Sequence, residues 1–205
     1  ITVNISSPNT EGLRDFHKKN SMENLLNRLT KLKKDKKILK PIFVKISPDI
    51  KNTDISNIIE LVLKFSIEGI ILSNTSDGTR DQLEDTQKNE HGGLSGQPIK
   101  TLSTKLIKNF YKEVGKKISI IGVGGVDSGE SAFEKITAGA NAVQLYTGMV
   151  YKGPGIVKEI KKDLISILKK ENLKNISEAV GINAWPVIIQ DLYNFRKKLC
   201  LKDAN

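Results

Sequence analysis

The strongest indication of the fold comes from the first ten residues, Ile1-Thr2-Val3-Asn4-Ile5-Ser6-Ser7-Pro8-Asn9-Thr10. β-Branched residues alternate with polar ones at its start, a pattern that predicts a buried strand over residues 1–5. The strand cannot continue beyond that point, because Pro8 lacks an amide donor and Asn favours turns. Asn4, Ser7 and Asn9 are therefore predicted to cluster at the carboxyl end of a strand, where α/β folds bind ligands.

The polar groups of this stretch allow two interpretations. Asn4 and Asn9 do not titrate, and each offers donor and acceptor atoms that suit a flat heterocycle with mixed edges. Ser7 is the only side chain of the stretch that could take part in proton transfer. In the alternative interpretation the strand is followed by an ordinary Asx or Ser/Thr turn, whose side chains cap backbone groups.

The composition narrows the class of protein. A chain of 205 residues with 38% hydrophobic and 27% charged residues is typical of one soluble domain or part of one. No apolar run approaches the roughly 20 residues of a membrane span, and no signal-peptide pattern opens the chain. The single Cys excludes an intrachain disulfide and a cysteine-cluster metal site, and with two His a His-rich metal site is not expected. The chain starts inside a predicted strand without Met, so we expect it to be the later part of a longer protein.

The net charge of +10 raises the question of an anionic partner. Most of the excess lies in helix-like segments, residues 31–40 and 158–170, where it is typical of a solvated outer face. Aromatic residues make up 5% of the chain, and they do not alternate with basic ones as in surfaces that stack bases. We therefore predict no nucleic-acid partner.

Four further strands are predicted along the chain, at residues 42–46, 70–72, 118–126 and 142–145. Segments with apolar residues at helical spacing separate the five strands, and this alternation predicts a parallel sheet. Glycine-rich phosphate candidates follow the last two strands, as in (β/α)8 TIM barrels. The fold class is therefore predicted as α/β, with this chain supplying about the last five β/α units of a barrel. The alternative is a flavodoxin-like sheet, in which the phosphate loop normally follows the first strand.

Other predicted features concern single residues and connections. Lys45 interrupts an apolar strand, which is costly unless the lysine is paired or faces a ligand; the alternative is a surface lysine with a buried stem. Residues 11–20 are predicted as a polar loop, and Thr53 or Asp54 as the cap of the second helix. The remaining predictions are a capping box of Asp127 and Glu130, a helix end at Gly139, a helix over 155–170, a short helix from 175 to 181 and a helical tail.

Six motifs occur in the order and spacing of a known family. They are Asn4-Ile5-Ser6-Ser7-Pro8-Asn9-Thr10, Val44-Lys45-Ile46-Ser47-Pro48-Asp49, Ser73-Asn74-Thr75, Gly92-Gly93-Leu94-Ser95-Gly96, Ile121-Gly122-Val123-Gly124-Gly125-Val126 and Val143-Gln144-Leu145-Tyr146-Thr147. Over residues 1–181 the chain resembles class 2 dihydroorotate dehydrogenases. Residues 182–205 form a tail that the resemblance does not explain.

The resemblance implies an FMN-containing (β/α)8 barrel that oxidises dihydroorotate to orotate in de novo pyrimidine biosynthesis. A quinone would be the final electron acceptor. The protein would lie peripherally on the cytoplasmic membrane, or on the inner mitochondrial membrane in a eukaryote, through an amino-terminal region that this sequence lacks. Two alternatives remain: another FMN-barrel oxidoreductase that acts on a different pyrimidine, or an inactive barrel fragment.

The resemblance also implies roles for individual residues. Ser7 would be the catalytic base that takes the proton from C5 of dihydroorotate; class 1 relatives have Cys at this position. The groups that would hold the pyrimidine and its carboxylate are Asn4, Asn9, Asn74 and Thr75. The groups that would bind FMN are Asn4, Lys45, Ser73, Gly96, Gly124, Gly125, Tyr146 and Thr147. No residue is predicted to bind a metal.

Overall fold

A computed structural model describes residues 1–185. Its centre is a parallel sheet of five strands in the order in which they follow along the chain. The strands are β1 (Thr2–Asn4), β2 (Phe43–Ile46), β3 (Gly69–Leu72), β4 (Ser119–Val123) and β5 (Ala142–Gln144). All five predicted strands are present, within three residues of the predicted bounds.

Helices connect and follow the strands. They are α1 (Lys19–Asp35), α2 (Asn52–Lys64), α3 (Lys100–Val114), α4 (Gly129–Ala138), α5 (Thr147–Lys152), α6 (Ile156–Lys170) and α7 (Ile176–Ala179). Two short 3-10 segments, Leu13–His17 and Gln97–Ile99, precede α1 and α3. None of the helices within residues 1–185 combines the length and the apolar character that crossing a bilayer requires.

The strand order decides between the two architectures that the sequence allowed. In a flavodoxin-like sheet the first strand lies between the second and the third, giving the order 2-1-3-4-5. In the part of the chain that the structure describes, β1 lies at the edge beside β2, and each later strand is added beside its predecessor. Sequential parallel pairing through helical crossovers is the arrangement of a β/α barrel.

The two faces of the sheet differ in chemistry. Val44, Ile70 and Ile120 are paired in register and pack with helix residues in the main hydrophobic core. Lys45 is in register with Asn4 on β1 and Ile71 on β3, so this row faces the opposite side of the sheet. The helices therefore cover one face, and the other face presents a lysine and an amide near the carboxyl ends of the strands.

The position of β1 at the edge of the sheet explains why this strand is less buried than its alternating sequence pattern predicted. Ile5 is buried, but Ile1 is 60% exposed. Within residues 1–185, β1 has a neighbouring strand on one side, and the first residue of an edge strand is covered by few elements. The predicted polar loop over residues 11–20 was also wrong in part, because a 3-10 turn forms at Leu13–His17 and α1 begins at Lys19.

Two predicted caps were wrong. Helix α4 has a capping box, but Ser128 and Ser131 form it in place of Asp127 and Glu130. The Ser128 hydroxyl accepts from the Ser131 amide at 3.1 Å, and the Ser131 hydroxyl accepts from the Ser128 amide at 3.0 Å. Lys51 precedes the first turn of α2 and provides no side-chain cap, so neither Thr53 nor Asp54 has the predicted role.

The predictions for the segments after α4 were confirmed in part. Gly139 ends α4, as predicted, with a φ of 130°. Helix α5 was missed, since residues 146–148 were interpreted only as the end of a strand. The predicted tail helix over 182–205 lies largely outside the described residues, and the boundary at residue 181 stays a prediction.

Candidate functional site

A cavity of about 610 Å³ opens at the carboxyl ends of β2 to β5. We call it the carboxyl-end cavity. Its lining comprises Lys45, Ser73, Asn74, Thr75, Gly93, Ser95, Gly96, Ile99, Val123, Gly124, Gly125, Val126, Gln144, Leu145, Tyr146, Thr147 and Gly148. Volume and lining are those of a site for a cofactor or small molecule, with apolar walls and a few converging polar groups.

Glycines bring the backbone close to the cavity after β4. Gly124 and Gly125 have φ values of 112° and 70°, a region that favours glycine. A Cβ on Gly125 would lie 2.5 Å from Lys100 Cβ and 2.9 Å from Lys100 Cα. The turn therefore packs against the start of α3, and only glycine fits there without displacing the helix.

A second glycine segment forms the opposite wall of the cavity. Gly96 has a φ of 76°, and a Cβ there would lie 2.9 Å from Thr147 Cγ2. The Thr147 hydroxyl donates to Ser95 Oγ at 2.9 Å. The segment that follows β5 and the glycine segment before α3 are thus fixed to each other, with backbone groups of both at the cavity.

Three polar side chains form an amide cluster at the ends of β1 and β3. Asn74 Nδ2 donates to Asn4 Oδ1 at 3.2 Å and to Ser6 Oγ at 3.0 Å. Ser6 Oγ donates to Asn4 Oδ1 at 2.9 Å, and Ser6 itself is fully buried. Because Asn74 lines the cavity, this cluster connects the loop after β1 to the cavity wall.

The Ser7 loop lies beside the cavity and also makes the local turn that the alternative interpretation predicted. The Asn9 amide donates to Ser7 Oγ at 3.3 Å, and Asn4 Oδ1 accepts from the Ser6 amide at 3.2 Å. A Cβ on Gly93 would meet the Thr75 side chain and would lie 2.9 Å from Pro8 Cγ. Pro8 is thus close to two lining residues, Gly93 and Thr75. Turn formation and proximity to the cavity are therefore compatible.

Lys45 lines the cavity on the face of the sheet opposite the main core. Its side chain is partly buried, and this burial lowers the pKa of its ammonium. No carboxylate within residues 1–185 forms an ion pair with it. A lysine in this environment favours an anionic or electron-rich partner in the cavity, which supports the ligand-facing interpretation over that of a surface lysine.

An ionic cluster that the sequence did not predict surrounds the same loops. Arg14 Nη1 lies 2.6 Å from Asp77 Oδ1, and Arg14 Nη2 lies 3.3 Å from Asp49 Oδ2. Ser76 Oγ donates to Asp49 Oδ1 at 2.5 Å. Burial and the neighbouring Asp77 raise the pKa of Asp49, whereas hydrogen bonds with Asp49 and Arg14 lower the pKa of Asp77. We call Arg14, Asp49, Ser76 and Asp77 the Arg14 cluster.

A buried lysine behind the glycine turn was also missed. Lys135 on α4 is fully buried, and its ammonium donates to Thr104 Oγ1 at 3.1 Å and to Ser103 Oγ at 3.2 Å. Ser103 in turn donates to the carbonyl of Val123 at the end of β4. Burial lowers the pKa of Lys135 to about 8. The sequence did not predict the burial of Lys135, because lysines are common on the outer faces of helices.

Most residues predicted for the site line the carboxyl-end cavity, and the exceptions are Asn4, Ser7 and Asn9. Asn4 is joined to the cavity wall by Asn74, and Ser7 by the contacts of its loop. Asn9 is exposed, and only its amide contact with Ser7 relates it to the site. Lining residues that were not predicted include Gly93, Ser95 and Gln144, all of which stand in quoted motifs. Among residues 1–185, no group of three or more His, Cys, Asp or Glu side chains could hold a metal ion.

Fold and site together define an α/β protein of the β/α-barrel type with its ligand site at the carboxyl ends of the strands. The sequence model of the dihydroorotate dehydrogenase family matches residues 1–168. The chain therefore belongs to the dihydroorotate dehydrogenase family.

Individual relatives support this assignment. The dihydroorotate dehydrogenase (quinone) of Trichodesmium erythraeum is 46% identical over 189 residues, which are 89% of this chain and 49% of that protein. The enzyme of the same name from Natronomonas pharaonis is 40% identical over 183 residues, which are 89% and 50% of the two chains. The chain thus spans about half the length of the curated relatives that it matches.

Solved structures give the same result for the fold. The ligand-free DHODH of Eimeria tenella superposes with a TM-score of 0.83 at 31% sequence identity, covering 90% of this chain and 56% of the other. A DHODH from the same organism in complex with ferulenol has the same TM-score and identity. The five sequential β/α units are therefore part of the TIM-barrel fold that was predicted.

Proposed function

We propose that the full-length gene product oxidises dihydroorotate to orotate, with FMN as the hydride acceptor and a quinone as the final electron acceptor. The single observation that carries this proposal is that Asn74 lies in the wall of the cavity and is also hydrogen-bonded to the residues that precede Ser7. Asn74 lines the carboxyl-end cavity and donates to Asn4 and Ser6, the residues that flank the strand end before Ser7. A candidate base and a set of amides for a planar ligand are thereby held beside one cavity.

Ser7 is proposed as the base that takes the proton from C5 of dihydroorotate. A serine hydroxyl is a weak base at neutral pH, so its own proton must pass to a water or a neighbouring hydroxyl. The Asn9 amide, which donates to Ser7 Oγ at 3.3 Å, would stabilise negative charge that develops on this oxygen. Asn4, Asn9, Asn74 and Thr75 are proposed to hold the pyrimidine and its carboxylate.

The lining of the cavity fits FMN. Its volume of about 610 Å³ and its apolar walls suit a tricyclic ring, and Lys45 in its lining would provide a cation for that ring. Gly96, Gly124 and Gly125 line the cavity and have no side chain, so backbone forms the surface there. We propose that amides of Gly124, Gly125, Tyr146 and Thr147 bind the phosphate, while Ser73 and Asn4 contact the flavin.

Lys45 is proposed to stabilise negative charge. When bound, FMN would accept the hydride from C6 of dihydroorotate, which places negative charge on the reduced ring. The partly buried ammonium of Lys45 lines the carboxyl-end cavity and would stabilise such charge, because a low local dielectric strengthens the attraction. Burial of the lysine thus has a functional explanation.

The electron acceptor and the location of the protein are proposed from its relatives. The names of the relatives from Trichodesmium erythraeum and Natronomonas pharaonis specify a quinone. Quinones are lipid-soluble, so we propose that the gene product works peripherally at the cytoplasmic membrane, or at the inner mitochondrial membrane if it is eukaryotic.

Stopped-flow absorbance of the full-length gene product tests the proposal. Dihydroorotate is mixed anaerobically with the purified protein, and bleaching of the flavin is followed for the unmodified protein and for Ser7→Ala. We expect fast bleaching in the unmodified protein and a loss of about 10²–10⁴-fold in Ser7→Ala, the usual contribution of a positioned base. Ser166→Ala is the matched control, because Ser166 is exposed on α6 and should leave the rate unchanged.

The other outcomes separate the alternatives. Flavin that is present but not bleached by dihydroorotate would refute the substrate and leave an FMN barrel for a different pyrimidine. A preparation without flavin would refute the cofactor and favour an inactive barrel.

A further inference from the structure

Arg14 connects three loops of the site. It lies in the 3-10 segment Leu13–His17, directly after the loop that carries Ser7. Its Nε donates to the carbonyl of Ser6 at 3.3 Å, and its Nη2 donates to the carbonyl of Thr75 at 3.3 Å. One guanidinium thus holds the backbone of the β1 loop, next to Ser7, and that of the β3 loop at a residue of the cavity wall.

Asp49 adds the third loop, which follows β2. Its Oδ2 lies 3.3 Å from Arg14 Nη2 and accepts from the Asp77 amide at 3.1 Å. Its Oδ1 accepts from the Ser76 hydroxyl. Both carboxylate oxygens are therefore used, and the side chains of Arg14 and Asp49 are 23% and 21% exposed. A pair that is mostly shielded from water contributes more to local order than an exposed ion pair.

We infer that Arg14 and Asp49 are positioning residues, which fix the Ser7 loop relative to Asn74 and Thr75 for proton removal from the substrate. The inference rests on the proposed function for its chemical consequence, but its structural part does not depend on it. Arg14 reaches the site through backbone groups, since its side chain donates to the carbonyls of Ser6 and Thr75, and Thr75 lines the cavity. Its expected effect is therefore on geometry in the first half-reaction.

Two conservative variants test the pair. Arg14→Lys keeps the charge but loses the planar set of donors that reaches two carbonyls and two carboxylates. Asp49→Asn keeps the shape but replaces one acceptor oxygen by a donor, so Ser76 or Arg14 loses its partner. Asp15→Asn is the matched control, since Asp15 lies in the same 3-10 segment and its ion pair with Lys18 is largely exposed.

The first measurement is hydrogen exchange by mass spectrometry on the full-length gene product without added ligand. We expect amide exchange of residues 4–10 and 73–77 to rise about tenfold in Arg14→Lys and Asp49→Asn, as the loss of a charged hydrogen bond predicts. Exchange elsewhere, and exchange in Asp15→Asn, should stay unchanged. This measurement needs neither flavin nor substrate.

The second measurement separates the two half-reactions in the flavin-loaded protein. Reduction by dihydroorotate should slow about 10- to 100-fold, because displacement of a catalytic group by about 1 Å costs up to about 100-fold. Flavin content and reoxidation by a soluble quinone should remain as in the unmodified protein. A merely structural defect would lower flavin content and both half-reactions together.

Unchanged exchange and unchanged reduction in both variants would overturn the inference, as would exchange that rises throughout the protein while both half-reactions fall equally. If Arg14→Lys fails to fold, Ser76→Ala, which removes one hydroxyl from Asp49, takes its place. If the unmodified protein is not reduced by dihydroorotate, the proposed function is refuted, and the exchange measurement alone still decides on the pair.

Discussion

Asn74 Nδ2 donates a hydrogen bond to Asn4 Oδ1 across 3.2 Å, although 70 residues separate the two in sequence. The contact joins the carboxyl ends of β1 and β3, which are not neighbours in the sheet. The strand between them, β2, contributes Lys45 in register with Asn4. Three consecutive strands thus present an amide, an ammonium and an amide at one end of the sheet, beside one cavity.

Asn74→Asp should disrupt this connection. The new carboxylate replaces the donor amide, so the hydrogen bonds that Asn74 donates to Asn4 Oδ1 and Ser6 Oγ are both lost, and the carboxylate repels Asn4 Oδ1. We expect a loss of about 1–3 kcal/mol in the free energy of unfolding and a weakening of orotate affinity by at least about tenfold. Urea unfolding of the flavin-free gene product and titration of the loaded protein with orotate measure the two effects.

The control for that substitution is Asn24→Asp. Asn24 is exposed on α1, and the same change of chemistry there should move neither quantity. Orotate affinity that is unchanged in Asn74→Asp would contradict the role of Asn74 in holding the ligand.

Sequence patterns predicted those parts of the fold that depend on local periodicity and turn chemistry. All five strands were found because Val, Ile and Leu runs end in Pro, Asn or Gly. The exact cap of α4 was not found, because Asp127, Ser128 and Glu130 all suit a helix start and only the path of the chain selects Ser128. Helix α5 was missed because its six residues are too short for a helical period.

The site was predictable where its residues stand in motifs and unpredictable where it depends on distant partners. Lys45 was found because a lysine in an apolar strand is anomalous. Arg14 and Asp49 were not predicted. A single arginine in a polar loop has no local signature, and Asp49, although it ends a quoted motif, has its partners in distant parts of the chain. Their significance arises because the intervening chain, residues 15–48, folds to bring them within 3.3 Å of each other.

Gly125→Ala should reduce flavin binding and stability together. The φ of 70° disfavours any residue with a Cβ, and the new Cβ would lie 2.9 Å from Lys100 Cα, which cannot move without α3. We expect a loss of about 1–3 kcal/mol in the free energy of unfolding and a lower flavin content. Absorbance of the purified protein gives the flavin content, and urea unfolding of the flavin-free protein gives the stability.

Gly155→Ala is the matched control for Gly125→Ala. Gly155 has a φ of −60°, and a Cβ there would meet nothing within 4 Å. We expect stability that is unchanged or raised by about 0.4–1 kcal/mol, because Ala restricts the unfolded chain. Equal effects of the two substitutions would refute the argument that Gly125 is required by its conformation and its contact with α3.

Lys135 should make the stability depend on pH in an alkaline window. Its pKa is lowered from 10.5 to about 8 by burial, so between these values the unfolded chain binds a proton that the folded chain does not. The contribution of Lys135 to the free energy of unfolding therefore rises by up to about 3 kcal/mol as the pH increases from about 8 to about 10.5. Lys135→Met, which is apolar and of similar length, removes the titration.

The measurement is urea unfolding of the flavin-free gene product and of Lys135→Met from pH 7 to pH 10.5. Other groups titrate in both proteins, so the difference between their free energies of unfolding isolates Lys135. We expect the free energy of unfolding of the unmodified protein to increase relative to that of Lys135→Met as the pH rises. Lys161→Met, at an exposed position on α6, should give a difference that does not change with pH. If the free energies of unfolding of Lys135→Met and of the unmodified protein change in parallel with pH, the prediction that burial lowers the pKa of Lys135 is contradicted.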